Sequence, residues 1–120
     1  MVFSGGADGG PQVTVDGASA EGPAPMQLLL LSLAGCMAVD IRMILEKSRV
    51  SVDDLEIDVV GERAEEAPRR YLRIDMICRL EGPGEGDAAK VQRALDLSRE
   101  KYCSVLHSLD PAIALDVRAA

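Results

Sequence analysis

The chain has 120 residues, 48% of them apolar, and a net charge of −7 from 13 basic and 20 acidic side chains. That length predicts a single domain, 1–120, large enough to fold without staples. The acidic balance excludes nucleic acid as a partner, because phosphate binding needs clustered Lys and Arg, and it argues equally against an anionic membrane surface.

The only aromatics are Phe3, Tyr71 and Tyr102, so the core falls to Leu, Ile, Val, Met and Ala, which favours helix packed on sheet. No residue before Arg42 is basic, so neither a signal nor a transit peptide is expected. Three cysteines without an export signal argue against a disulfide scaffold and place the chain in the cytoplasm.

In chain order, residues 1–10 are glycine-rich and read as loop or frayed edge. "PQVTVDG" alternates Val13 and Val15 with polar residues and ends in an Asp16-Gly17 turn, which predicts a short strand. Pro25 opens a helix to about Lys47, apolar nearly all round until Asp40. Its longest apolar run, Met26 to Val39, is too short to span a bilayer and predicts a buried helix. One short chain has little to cover such a helix, so a second copy is expected to do part of the covering.

"DLEIDVVGER" and "YLRIDMICRL" alternate and predict an antiparallel hairpin, with Leu72, Ile74, Met76, Cys78 and Leu80 on the apolar face of the second strand. Asp87 is the expected N-cap of a second helix, straight or bent, running from about Ala88 to Leu109. Its apolar face passes through Val91, Leu95, Ser98, Tyr102, Val105 and Leu109, and Pro111 forbids continuation. "AIALDV" closes as a final strand. The order β, α, β, β, α, β is α+β with a mainly antiparallel sheet.

Three residues could carry thiol chemistry. Cys78, between Met76 and Leu80, reads as a small buried hydrophobe. Cys36 shares a helical face with Ser32 and Asp40, and is either a structural core residue or a working thiol. As a working thiol it needs a cation from elsewhere, since Asp40 alone disfavours a thiolate. Cys103 lies on the flank of the second helix's apolar face, with Arg99 and His107 one turn either side. It is either a boundary cysteine or a thiol placed to reach another group. Cys103 with His107 makes a weak metal fragment, as the chain holds no other histidine. Arg69-Arg70 reads as a solvated loop.

"PMQLLLLSLAGCMAVD", "ERAEEAPRRYLRI" and "VQRALDLSREKYCSV" together resemble the OsmC/Ohr family of thiol-dependent peroxidases, from about Asp16 to the C-terminus. The resemblance implies an intertwined homodimer, with antiparallel sheets wrapped around long central helices. It implies a peroxidatic Cys36 oxidised by an organic hydroperoxide to a sulfenic acid, and a resolving Cys103 that closes a disulfide. A dithiol, small or protein, would reduce that disulfide. No cofactor and no metal are implied.

The chain departs from the family pattern at two places. Met26 stands where the resemblance implies a glutamate, with the amide Gln27 beside it. The family's N-terminal arginine has no counterpart, and the first strand looks absent or shortened. Either Arg99, Arg69, Arg70 or Arg42, the last from a second copy, substitutes as thiolate activator, or the peroxidase chemistry is weak or lost. Helical proximity makes Leu28, Leu29, Met37 and Ile41 candidates for the substrate pocket. The other readings are a non-catalytic dimer that binds a small hydrophobic or thiol-reactive ligand, and a redox sensor.

Overall fold

A computed structural model describes residues 1–120, which form two compact units, Met1–Leu31 and Ser32–Ala120. In the first unit β1 (Val2–Gly5) pairs antiparallel with β2 (Val13–Asp16), Phe3 opposite Val15 and Ser4 opposite Thr14. Residues 2–5 are thus a strand, where residues 1–10 were expected to be loop or frayed edge. The glycines that suggested a loop cluster in the turn after β1, while Val2 and Phe3 suit an extended edge.

Asp16 is buried at the end of β2. Its carboxylate accepts from the backbone N–H groups of Ala18, Ala20 and Glu21. Led by the Glu21 bond, these donors hold it below the usual carboxylate range.

Helix α1 runs from Pro25 to Lys47. Leu33, Met37, Ile41 and Leu45 recur every fourth residue and are all fully buried. The opposite ridge is apolar too: Leu31, Val39 and Met43 are 52%, 59% and 53% exposed, with the exposed Gly35 between them. By length and composition, at a mean hydropathy of 2.0 over its most apolar window, α1 is long and apolar enough to cross a membrane. This corrects the expectation that it is too short. The helix continues past Asp40 and Arg42, which the count of uninterrupted apolar residues left out.

In the second unit β3 (Asp54–Arg63) and β4 (Tyr71–Glu81) form the expected antiparallel hairpin. Ile74, Met76 and Cys78 face the core, but Leu72 is exposed and Tyr71 is buried instead. The register shifts at Glu62/Arg63, so Arg73 lies opposite Glu62 while Tyr71 lies opposite Arg63. The bulge leaves Leu72 unpaired and turns it outward.

Gly61 makes room for the buried ring, since a Cβ there would lie 2.3 Å from Tyr71 Cε1. Gly61→Ala is therefore expected to destabilise the fold by ~1–3 kcal/mol through overpacking. Urea denaturation measures it, and pairing the change with Tyr71→Leu should recover most of the loss.

The second long helix is not continuous, contrary to the sequence expectation. After a 3₁₀ turn at Glu85–Asp87, α2 spans Ala88–Leu97, a π turn spans Ser98–Tyr102, and α3 spans Ser104–His107. Asp87 occupies the N-cap position of α2, but its side chain turns back to accept from the Gly84 N–H at 2.8 Å rather than capping the helix.

The final strand β5 (Ala114–Ala119) pairs parallel to β4, Met76 opposite Val117. A return through helices is the connection that parallel pairing requires, so antiparallel pairing covers β1–β2 and β3–β4 but not the last strand. The second unit's core combines the α1 row, the inner face of β4, and Val91, Ala94 and Leu95 of α2.

Candidate redox site

The site is built where α1 meets the interruption after α2. In a continuous α-helix, residues five apart diverge around the axis. The wider π turn lets the Cys103 N–H donate to the Ser98 carbonyl, five residues back, at 2.8 Å. Ser98 and Cys103 both become fully buried, and Tyr102 is rotated out to 49% exposure.

This reverses the expected arrangement, in which Tyr102 lay on the apolar face and Cys103 on its flank. The 4-3-4 spacing assumed one uninterrupted α-helical period, and the extra residue of the π turn breaks it. Cys103 then adopts an extended conformation and caps α3, its Sγ accepting from the Leu106 N–H at 3.4 Å.

Cys36 projects from α1 toward this corner. Its Sγ, the Sγ of Cys103 and a carboxylate oxygen of Asp40 all lie within 4.8 Å of one another. All three cysteines are free thiols. Cys36 is half-buried, whereas Cys103 has no exposed surface. Ser98 Oγ donates to Asp40 Oδ2 at 2.9 Å and fixes the carboxylate. Sequence reasoning did not single out Ser98 as part of this cluster. Its only signal was a small polar residue on the helix's apolar face.

Burial is the main force on the Cys103 thiol and pushes it up to about 11. The Leu106 N–H opposes this, while the neighbouring Cys36 and Asp40 add to the rise. Folding thus holds this proton more tightly than the unfolded chain does. The associated stability is present below the unfolded thiol's pKa, about 8.5, and is lost as pH rises toward 11. Cys103 in the native reduced protein should therefore alkylate very slowly at pH 7. Its rate should climb about tenfold per pH unit up to pH 10, as peptide mass spectrometry at a series of pH values can follow.

Cys78 lies apart on β4, fully buried, its thiol pushed up by burial alone. Ser32, expected in a polar stripe with Cys36 and Asp40, is exposed. The four candidate arginines are exposed, and three of them are engaged elsewhere. Arg99 donates to the Leu115 carbonyl at 2.9 Å, Arg70 pairs with Asp110 at 3.4 Å, and Arg42 pairs with Glu46 at 3.1 Å along α1. Arg69 sits in the loop before β4, its carbonyl accepting from Arg63 Nε. His107 is exposed on α3 and does not join the sulfurs and carboxylate around Cys103.

Of the residues expected to line a pocket, Met37 and Ile41 are fully buried, and Leu28 and Leu29 are half-buried. An open groove of about 410 Å³ borders the cluster at Asp40. Met43, Ile44, Leu97 and Tyr102 give it an apolar lining, and Lys47 and Arg93 add positive charge.

A long helix and a π turn thus bring two thiols and a carboxylate together in an α+β fold. The family described as OsmC-like protein matches residues 17–118, and the chain belongs to that family. It is 42% identical over 114 residues to protein YhfA of Escherichia coli K12, covering 94% of this chain and 84% of that one.

Two solved structures share the fold. The OsmC-like protein of Mycoplasma pneumoniae superposes with a TM-score of 0.80 at 18% identity, covering 99% of this chain and 86% of that one. The organic hydroperoxide resistance protein OhrB of Bacillus subtilis superposes with a TM-score of 0.65 at 14% identity, covering 100% and 96%. At these identities the two neighbours show that the fold is shared.

Proposed function

We propose that this protein is a cytoplasmic two-cysteine reductase of organic hydroperoxides, acting as a homodimer. The observation that carries the reading is the gathering of a half-buried thiol, Cys36, and a fully buried one, Cys103, within 4.8 Å.

Cys36 sulfur attacks the distal oxygen of the hydroperoxide. The O–O bond breaks, the alcohol leaves with a proton, and Cys36 becomes a sulfenic acid. The Cys103 thiol then attacks Cys36 sulfur. An S–S bond forms, the S–O bond breaks, and water leaves with the Cys103 proton. A dithiol reductant restores both thiols and is itself oxidised to a disulfide. Asp40, held by Ser98, is the group placed to relay the Cys36 proton to the leaving oxygen. The apolar side of the groove at Asp40 suits an organic rather than an inorganic peroxide.

The exposed ridge of Leu31, Val39 and Met43 supports the dimer, since a row of large apolar side chains on one helix calls for a cover.

The test is turnover. Reduced protein supplied with an organic hydroperoxide and a small dithiol should consume many equivalents of peroxide per chain. Consumption no faster than in buffer would refute the reading. A second reading, a dimer that binds a small apolar or thiol-reactive ligand without turnover, draws on one observation. None of the candidate arginines hydrogen-bonds or ion-pairs with Cys36 or Asp40.

A further inference from the structure

The thiol cluster has a second chemical capacity, which needs no peroxide. Two sulfurs and a carboxylate oxygen, all within 4.8 Å of one another, come close to three corners of a tetrahedron. Zinc–sulfur bonds of about 2.3 Å and zinc–oxygen bonds of about 2.1 Å set ligand separations of roughly 3.5–3.8 Å. A closure of about 1 Å therefore brings the three atoms onto one ion.

Two further observations favour a cation here. The fully buried Ser98 hydroxyl holds Asp40 Oδ2 at 2.9 Å, the kind of outer-shell bond that orients a metal-binding carboxylate. Asp40 takes part in none of the chain's ion pairs. The groove opens on the Asp40 side of the cluster, and neither sulfur lines it. Lys47 and Arg93 line the same groove and are the charges that oppose entry.

We propose that the reduced protein binds one divalent cation of the zinc type through Cys36 Sγ, Cys103 Sγ and the Asp40 carboxylate. Each thiol loses its proton to solvent on binding, and nothing is oxidised. The metal acts as a reversible cap on the two sulfurs rather than as a cofactor, and it departs from the metal-free site expected from the sequence. The inference stands apart from peroxide turnover: either can fail without the other.

Cadmium is the probe, because its bonds to thiolates absorb in the near ultraviolet. Titrating the reduced protein with Cd²⁺ should saturate at one ion per chain with a two-thiolate band. Cys36→Ser and Cys103→Ser should each lose at least half of that band, and Cys78→Ser should leave it unchanged. Asp40→Asn should keep the band but weaken binding by about tenfold or more. Ser98→Ala, which keeps the carboxylate but frees it, should weaken binding severalfold. Three results would overturn the proposal: no saturable band, a band that depends on Cys78, or affinities of Asp40→Asn and Ser98→Ala both within twofold of the parent's.

Discussion

Cys36→Ser is expected to lower hydroperoxide reduction by more than about a thousandfold, to the rate of buffer with reductant alone. A hydroxyl in place of the sulfur is not a nucleophile toward peroxide oxygen. On the proposed mechanism every later step waits on this first attack. Cys103 is fully buried and holds its proton well above neutral pH, so it does not substitute.

The partner change, Cys103→Ser, has a different signature. The first oxidation of Cys36 should proceed, but no second sulfur waits to displace water from the sulfenic acid. Excess peroxide should then carry Cys36 on to sulfinic and sulfonic acids, adding 32 or 48 Da, roughly two or three oxygens, in intact-mass spectra. Cys78→Ala, on β4, should leave both chemical steps intact and lower stability alone. Full activity in Cys36→Ser would mean that the nucleophile is misassigned.

Deleting Glu100, an exposed residue within the π turn, is expected to abolish rapid disulfide closure while preserving the fold. With one residue fewer the turn relaxes to an ordinary α-helix, and everything after it rotates by about 100°. Cys103 then leaves its place five residues beyond Ser98 and swings away from Cys36. Misplacement by about 1 Å already costs on the order of a hundredfold in such intramolecular reactions, and this rotation moves the sulfur farther. Quenched-flow trapping with a thiol reagent after peroxide addition should show sulfenic acid persisting where the parent shows disulfide. Circular dichroism should show the helices retained. Closure at the parent rate would mean that the π turn does not place Cys103.

How far the fold was legible in the sequence differs from element to element. Helix α1 announced itself through Pro25 and a long apolar stretch. The hairpin of β3 and β4 followed from strict alternation. Leu72 broke that alternation because a bulge, set by register with β3 and by the room at Gly61, is a tertiary event with no periodic signature. Strand β1 was hidden because its glycine-rich surroundings outweighed Val2 and Phe3, and only pairing with β2 makes it a strand.

The site was legible in its members more than in its geometry. Cys36 and Asp40 share a face of α1 by simple helical spacing. Cys103 and Ser98 do not share a face in any regular α-helix, so the inward turn of Cys103 and the outward turn of Tyr102 could not be read from period alone. The arginines were named from charge, and each spends that charge or its exposed position away from the sulfurs. The cluster therefore presents two thiols and a carboxylate without a hydrogen bond or ion pair from those arginines. That makes the speed of Cys36 oxidation the quantity on which the peroxidase reading depends.

The most direct measurement is to expose the fully reduced protein to a slight excess of an organic hydroperoxide for seconds, block the remaining thiols, and map the products by mass spectrometry. The account predicts a Cys36–Cys103 disulfide within a single chain as the main product, with Cys78 recovered as a blocked thiol. Slow oxidation spread over all three cysteines, or a disulfide that includes Cys78, would contradict it.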